Sequence, residues 1–372
     1  MTFVIVTHVP HIIENNQYFA YSPYVREMNV WLKYVDKVII VAPIENAKTT
    51  PIHIHYEHTN ITFVAIGNFD ILSAKSIFQT LFKIPSILFK IFSSFKKADH
   101  IHLRCPGNVG LLGSLVQILF LSKTKTAKYA GNWDSKAKSP ISYRLQKYIL
   151  SHTFLTRNMQ VLVYGEWENS TKNIKPFFTA TYKESDKEEV VSRNLQGIIK
   201  ILFVGTLSIG KRPLYAIQLV EKLIQNGFQI EFSIFGEGKE RKNIEEYISE
   251  NKLQDSLTLH GNKTTSIIQK AYQESHFVLL PSQSEGWPKV IAEGMFWGCV
   301  PIATSISCVP NMLDYGNRGL LLQVDLEKDV KTIQELINNS ALYQEMASNG
   351  IKWSRKYTLD YFEQEIKLLL QS

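Results

Sequence analysis

Short runs of apolar and β-branched residues recur along the whole chain, each separated from the next by a stretch long enough for a helix. In the first half the predicted strands are Phe3–Thr7, Val38–Val41, Thr62–Ile66, His100–Leu103, Lys128–Ala130 and Gln160–Tyr164. In the second half they begin at or near Lys200, Phe232, Leu257, Phe277, Val300 and Gly319. Such alternation predicts the α/β class, with parallel sheets covered by helices and functional loops at the carboxyl ends of the strands.

The length of 372 residues exceeds what one hydrophobic core usually supports, so two α/β domains are predicted. The polar run Thr181–Glu189 leads into a linker near 190–197, which marks the boundary between them. We therefore predict a first domain at 1–195 and a second domain at 196–350. The remaining residues, 351–372, are predicted to be helical.

Composition and charge narrow the class of protein. A hydrophobic content of 45% is ordinary for a globular chain, and the three cysteines show no disulfide or metal-site spacing. The cysteine usage fits a reducing compartment. Residues 1–195 hold 23 Lys and Arg against 14 Asp and Glu, so the first half needs an anionic partner or surface. No apolar run reaches about 18 residues, so no transmembrane helix is predicted.

The most informative loop follows the strand Phe277–Leu280. It reads Pro-Ser-Gln-Ser-Glu-Gly-Trp-Pro over 281–288, and a helix is predicted from Val290 to Trp297 with Pro288 in its first turn. A helix start offers unpaired N–H groups and a positive dipole end, which favour an anion. Glu285 lies in the loop and Glu293 about two helical turns further on. Two acceptor groups beside an anion site suit a ligand with a phosphate and several hydroxyls.

A second loop carries the basic charge that such a ligand needs. The strand from Lys200 ends at Gly205, and Lys211 and Arg212 stand directly before the helix that Pro213 begins. Cations are electrostatically unfavourable at a helix start, so the pair predicts an anionic ligand there.

The segment Glu285-Gly-Trp-Pro288, with Glu293 eight residues after Glu285 and Gly298-Cys-Val-Pro301 following, resembles the signature of the family-4 retaining glycosyltransferases. These enzymes have the GT-B architecture of two facing Rossmann-like domains. The resemblance is specific from about 200 to 325 and only architectural over most of 1–195. It implies that the helix at 351–372 crosses back onto the first domain.

The resemblance also implies roles for single residues, and it implies a nucleotide-diphosphate sugar as donor with neither metal nor cofactor. Glu285 and the loop after it would hold the donor sugar, and Glu293 the ribose. Lys211 would bind the diphosphate; we expect Arg212 to join it, because Thr206 stands where the family has an arginine. The predicted donor-binding residues are Gly205, Lys211, Arg212, Gly236, Gly261, Glu285, Gly286, Trp287, Pro288, Lys289 and Glu293.

In the first domain the resemblance is partial. Asp99 and His102 match the family's Asp-x-x-His-x-His pattern, but Arg104 stands at the second histidine. Arg104 is predicted to contact a sugar hydroxyl or the diphosphate, and we count it with Glu285, Lys211 and Arg212 as a catalytic candidate. The aromatic and polar stretch 8–24 suits an acceptor loop or an ordinary surface loop. Asn132-Trp133-Asp134 similarly suits either sugar contacts or a structural turn.

Residues 71–98 carry five lysines and no acidic residue, with many phenylalanines between them. As a helix, this segment would be basic and amphipathic, and it could lie on an anionic bilayer. It could equally cover the sheet of the first domain with its lysines in solvent.

These observations favour a retaining glycosyltransferase acting on a glycan or lipid-linked acceptor hydroxyl. We expect a role in bacterial cell-surface polysaccharide synthesis (capsule, lipopolysaccharide or exopolysaccharide) in the cytoplasm, at the inner face of the membrane. Two alternatives stay open. One is a sugar-nucleotide 2-epimerase of the same architecture, and the other is a non-catalytic glycosyltransferase-like subunit, which Thr206 and Arg104 favour. Nucleic-acid binding is disfavoured, because the basic residues form no recognised motif.

Overall fold

The structure, a computed structural model, describes residues 1–50, 52–67 and 74–371. For residues 74–81 it describes the backbone only. The chain forms two compact units. The first unit comprises Met1–Phe178 together with Phe362–Ser372, and the second unit comprises Thr179–Tyr361. Each has its own parallel sheet and hydrophobic core.

The first unit is built on a seven-stranded parallel sheet in the order β10-β9-β8-β7-β1-β4-β6. Its elements are β1 (Thr2–Val6), β2 (Ile12–Glu14), β3 (Gln17–Tyr21), α1 (Ser22–Leu32), β4 (Lys37–Pro43), β5 (His53–His55), β6 (Ile61–Ile66), α2 (Ala74–Lys96), β7 (His100–Cys105), α3 (Asn108–Val116), β8 (Thr124–Tyr129), α4 (Ile141–Ser151), β9 (Met159–Tyr164) and β10 (Ile174–Phe177). The six predicted strands are all present, and β10 adds a seventh that sequence reasoning missed.

The stretch 8–24 is not a loop throughout, and in this the prediction was wrong. Strands β2 and β3 pair as an antiparallel hairpin, β5 adds to it, and α1 begins at Ser22. The hairpin turns at Asn15 and Asn16, which both adopt positive φ, a conformation that asparagine tolerates well.

Strand β8 begins four residues before the predicted start. The prediction missed these residues because two lysines of the strand are buried. Lys125 Nζ donates to the carbonyl of Phe120 at 2.9 Å, and Lys128 Nζ donates to the carbonyl of Phe178 at 2.9 Å. Buried lysines break the apolar pattern by which a core strand is recognised, and each needs such partners.

The second unit contains a six-stranded parallel sheet in the order β13-β12-β11-β14-β15-β16. Its elements are β11 (Ile199–Val204), α5 (Pro213–Gln225), β12 (Ile230–Phe235), α6 (Arg241–Glu250), β13 (Leu257–Gly261), α7 (Thr265–Glu274), β14 (Phe277–Leu280), α8 (Lys289–Phe296), β15 (Val300–Thr304), α9 (Val309–Met312), β16 (Leu320–Leu322), α10 (Leu326–Ile337) and α11 (Ser340–Ser354). All six predicted strands are present.

The units divide at Phe178 and Thr179 rather than at the predicted residue 195. Residues 179–195 belong to the second unit because their side chains are held there. The Arg193 guanidinium donates to the carbonyls of Gln273 at 2.7 Å and Trp297 at 2.6 Å. A polar run that looks like a linker is thus a packed segment.

The last helix, α12 (Leu359–Gln371), begins in the second unit, and its residues from Phe362 onward cluster with the first. The Phe362 ring lies 5.5 Å from that of Phe177, and Lys175 Nζ pairs with Glu365 Oε2 at 2.6 Å. Residues 362–371 are therefore part of the first unit's packing.

Helix α2 has one buried and one exposed side. Ile87, Ile91 and Phe95 lie in the core of the first unit, whereas Phe89 is 71% exposed. The predicted segment 71–98 begins at 71–73, which lie outside the described residues. Among the helices that the structure describes, none is long and apolar enough to cross a bilayer.

Candidate active site

The loop between β14 and α8 is fixed by its neighbours. The Gly286 carbonyl accepts a hydrogen bond from the Cys308 thiol at 3.0 Å, and burial raises the pKa of Cys308 to about 12, so the thiol keeps its proton. Helix α8 begins at Lys289, one residue before the predicted start at Val290. Pro288 is the N-cap residue and not part of the first turn. The loop therefore delivers Glu285 and the first N–H groups of α8 to one edge of the sheet.

The predicted cationic loop meets this acidic loop. Lys211 Nζ lies 2.5 Å from Glu285 Oε1, and the Glu285 side chain is only 9% exposed. Arg212 adopts the left-handed conformation at φ 49° and ψ 49°, and its guanidinium donates to the Pro281 carbonyl at 3.3 Å. The Gln283 N–H donates to the Gly210 carbonyl at 2.8 Å. Three contacts thus join the loop after β11 to the loop after β14.

Three of the four predicted glycines, Gly205, Gly236 and Gly261, lie together at the ends of neighbouring strands. The Gly236 N–H donates to the Gly261 carbonyl at 2.9 Å, and the Gly205 N–H donates to the Phe235 carbonyl at 2.9 Å. A Cβ on Gly236 would lie 1.9 Å from the Gly205 carbonyl oxygen, and its φ is +143°. Only glycine allows this approach. Gly238, not predicted, is equally confined, because its Cβ would lie 2.2 Å from the Leu207 carbonyl oxygen.

Glu293 is held by two hydroxyl groups that sequence reasoning missed. The Thr181 hydroxyl donates to Oε1 at 2.7 Å, and the Tyr272 hydroxyl donates to Oε2 at 3.1 Å. Thr181 was hidden in the run taken as exposed, and Tyr272 looks like any core residue of α7. For Thr181 the available signal was its position in a polar run beside a predicted linker, and for Tyr272 the sequence offered no signal.

Trp287 packs within the second unit. Its ring stacks on Trp353 at 6.0 Å and meets the edge of Tyr357 at 5.7 Å. The Arg318 guanidinium lies 5.3 Å from the centre of the Trp353 ring. Through these contacts Trp287 anchors the loop between β14 and α8 to Trp353 and Tyr357.

Arg104 lies in the first unit, at the end of β7. Its Nη1 donates to Glu27 Oε1 at 2.9 Å, and Lys128 Nζ lies 3.5 Å from the same oxygen. The guanidinium also lies 5.5 Å from the Tyr24 ring centre. Glu27, which the sequence analysis did not single out, therefore orients Arg104. The predicted catalytic role of Arg104 stays a prediction.

The other first-unit candidates have structural contacts. His102 is fully buried, and its Nδ1 shares a hydrogen bond of 2.8 Å with the Thr126 hydroxyl. Asp99 accepts a bond from the Thr2 N–H at 2.7 Å. The Asp134 carboxylate accepts a hydrogen bond from the Lys136 N–H at 2.8 Å, which forms an Asx-turn. In the second unit, His276 is buried and bonded to backbone groups.

Residues 1–50, 52–67 and 74–371 contain no cluster of three His, Cys, Asp or Glu side chains that could hold a metal ion. Lys211, Arg212, Glu285 and Glu293 all carry charge near the loops of the second unit.

Comparison with known proteins agrees with this geometry. Residues 185–353 match the family model described as glycosyl transferases group 1. The chain is 33% identical over 128 residues to an uncharacterised glycosyltransferase of Methanocaldococcus jannaschii, covering 34% of this chain and 36% of that one. It is 23% identical over 226 residues to the poly(glycerol-phosphate) alpha-glucosyltransferase of Bacillus subtilis, covering 57% of this chain and 31% of that one. Each match thus spans less than half the length of the curated relative.

The fold likeness extends over the whole chain. The crystal structure of HepE from Anabaena in complex with UDP and glucose superposes with a TM-score of 0.69, covering 100% of both chains at 13% identity. At that identity the likeness shows the fold alone, which is GT-B. Over residues 185–353, less than half of its length, the chain is similar to the group 1 glycosyltransferases.

Proposed function

We propose that the protein transfers a sugar from a nucleotide-diphosphate sugar to an acceptor hydroxyl, with retention of the anomeric configuration and without a metal. The observation that carries the proposal is the contact between Lys211 and Glu285, which brings a cation and a carboxylate together beside the start of α8. A diphosphate with an attached sugar offers both groups a partner.

In this proposal each group has a defined part. Lys211, Arg212 and the first N–H groups of α8 bind the diphosphate and stabilise the charge that develops on it as the glycosidic bond breaks. Glu285 accepts hydrogen bonds from hydroxyls of the donor sugar, and Glu293 receives those of the ribose. No side chain is assigned as a nucleophile, so the departing phosphate oxygen takes the proton of the acceptor hydroxyl. Arg104 is proposed to contact the donor from the first unit.

The ion pair also balances the charge of Lys211 before a donor binds. In the absence of ligand, Glu285 offsets the charge of Lys211, which is only 30% exposed. Binding of the diphosphate gives Lys211 a second, doubly charged partner, while Glu285 has further acceptor positions for the hydroxyls of the sugar. A lysine ammonium has three donors, so it can keep the carboxylate as one partner among several.

The acceptor is proposed to be a glycan or a lipid-linked glycan of a cell-surface polysaccharide. The Bacillus subtilis relative, by its name, acts on poly(glycerol-phosphate), a polymeric acceptor. We further propose that α2 holds the enzyme at the cytoplasmic face of an anionic membrane. The lysines at 83, 96 and 97 are exposed on and just after this helix, as is Phe89.

The experiment is a replacement of Lys211 by Ala in a transfer assay with UDP-, GDP-, ADP- and CDP-sugars. We expect kcat/KM to fall by about a hundredfold or more, because removal of one preorganised electrostatic contact to a developing charge has effects of that order. Lys242→Ala is the matched control, since Lys242 is 85% exposed and pairs only at 3.7 Å with Glu246.

The same nucleotide sugars, used in the transfer assay and in thermal unfolding, separate the alternatives. An unchanged rate in Lys211→Ala would contradict the phosphate assignment. Conversion of the donor sugar to its 2-epimer without any acceptor would identify an epimerase. If none of the nucleotide sugars raised the melting temperature, the non-catalytic subunit would be favoured, since a bound ligand stabilises the folded state.

A further inference from the structure

Glu293 differs from Glu285 in the kind of partner it has. Glu285 is paired with a cation, whereas within the described residues Glu293 makes no ion pair and accepts hydrogen bonds from two neutral hydroxyls. Both oxygens of Glu293 are thus fixed in position by neutral groups.

Three separate parts of the second unit converge on this carboxylate. Glu293 lies on α8, Tyr272 on α7, and Thr181 in the segment that precedes β11. Tyr272 is fully buried, and its backbone carbonyl accepts bonds from the Cys299 thiol and from Arg193, so the backbone of the residue is fixed as well as its hydroxyl. Burial, together with the nearby Glu293 charge, raises the pKa of Tyr272 well above its usual value, so its hydroxyl stays a donor.

The acceptor capacity that remains matches a diol. A carboxylate has about four acceptor positions on its two oxygens. Thr181 occupies one on Oε1 and Tyr272 one on Oε2, which leaves one on each oxygen. Two adjacent hydroxyl groups, each with one O–H to donate, would fill the two remaining positions.

We infer that Tyr272 and Thr181 are positioning residues that together orient the Glu293 carboxylate to receive the two vicinal hydroxyls of a nucleotide ribose. This inference rests on the proposed function, in which Glu293 receives the ribose. Fixing the carboxylate beforehand lowers the entropy lost on binding, because a flexible glutamate otherwise has to be ordered by the ligand itself.

The test compares ribose with deoxyribose in the full-length protein. UDP, GDP, ADP and CDP are titrated calorimetrically, each beside its 2′-deoxy counterpart. In the wild type we expect the best nucleotide to bind about tenfold or more tightly than its deoxy form, as loss of a hydrogen bond to a charged group has effects of that order. Tyr272→Phe and Thr181→Val should each reduce this ratio to about threefold or less.

A matched control exists on the same unit. The Tyr247 hydroxyl donates to Glu221 Oε2 at 2.6 Å, another tyrosine–glutamate bond, between α6 and α5. Tyr247→Phe removes the same atom and should keep the wild-type ratio. A general loss of stability would lower the affinity for both nucleotides alike, so the ratio reports positioning and not folding.

Each outcome decides the matter. If Tyr272→Phe and Thr181→Val both keep the wild-type ratio, the inference is overturned while the proposed function stands. If the wild type binds nucleotides but does not distinguish ribose from deoxyribose, the Glu293 assignment and this inference both fail. If the wild type binds none of the four, the proposed function itself fails. If Tyr272→Phe does not fold, the ratio in Thr181→Val alone decides.

Discussion

At the scale of single residues, Gly236 shows how closely the strand-end loops of the second unit approach one another. Its missing side chain leaves room for the Gly205 carbonyl oxygen, which a Cβ would meet at 1.9 Å. Because backbone would have to move, we expect Gly236→Ala to lower the free energy of unfolding by about 3 kcal/mol or more. Denaturant unfolding measures this.

Gly210 provides the comparison for that substitution. A Cβ there would meet nothing within 4 Å, so Gly210→Ala should change the free energy of unfolding by less than about 0.5 kcal/mol. Equal effects of the two substitutions would show that the close approach at Gly236 does not limit the fold.

Buried histidines make the first unit sensitive to acid. Burial lowers the pKa of His11 and His100 to about 4 and that of His102 to about 3. The unfolded chain, with histidine pKa near 6.5, therefore binds more protons than the folded chain below that pH. The free energy of unfolding should fall as the pH is lowered from about 6.5 to 4, by up to about 1.4 kcal/mol per pH unit for each histidine.

The replacement His102→Gln isolates one of these groups. Glutamine can keep the bond to Thr126 but does not titrate, so the pH dependence of unfolding should become shallower by about one histidine's share. Unfolding curves at several pH values measure the slope. The same slope in wild type and variant would assign the acid sensitivity to other groups.

At the scale of elements, α2 carries the proposed contact with a membrane. Phe89 is 71% exposed, and removing it should weaken binding to phosphatidylglycerol vesicles by about tenfold, in line with the ~1.5 kcal/mol gained on burying such a side chain. We expect Phe89→Ser to sediment less with these vesicles, and all forms to bind phosphatidylcholine vesicles poorly.

Helix α4 offers the control for that experiment. Ile141 is 81% exposed on an unrelated surface element, so Ile141→Ser removes a comparable apolar side chain outside α2. Equal binding of wild type and Phe89→Ser, or no preference for the anionic lipid, would contradict the proposal.

The elements also show what could be predicted from the sequence and what could not. Strand β14 was predicted residue for residue and the start of β15 at Val300 was also predicted, because their apolar runs are bounded by polar or glycine-containing segments. Strand β10, which contains Pro176, was missed, since proline and lysine within four residues do not resemble a strand. Proline is tolerated there because β10 is an edge strand.

The same contrast holds for the candidate site. Lys211 and Glu285 were predicted from their loops, and the structure joins them. Thr181, Tyr272 and Glu27 were not predicted, because their importance comes from contacts across 112, 21 and 77 residues of chain, respectively. Local pattern carries no information about such pairings.

At the scale of the whole molecule, the division at 178/179 leads to a prediction about fragments. The contacts described above for Lys211, Glu285 and Glu293 lie within 179–361, which has its own core. We expect a fragment of residues 179–361 to fold and to bind the same nucleotide diphosphate as the full chain. Circular dichroism and calorimetric titration check the two properties.

A shorter fragment, 196–361, tests the boundary itself. It lacks Arg193, whose guanidinium donates to three backbone carbonyls, and Thr181, which bonds Glu293. Its free energy of unfolding should be lower by about 3 kcal/mol or more. Equal stability of both fragments would show that 179–195 is a linker after all.

The terminal helix has a consequence for synthesis of the chain. Phe177 and Phe178 pack against Phe362, and Lys175 pairs with Glu365, so residues 362–371 complete the packing of the first unit. At roughly 5–20 residues per second, a ribosome needs about 10–40 s to translate the stretch between them. During that interval we expect the nascent first unit to expose Phe177 and Phe178, which Phe362 later covers. Exposed aromatic side chains of this kind favour binding of a chaperone.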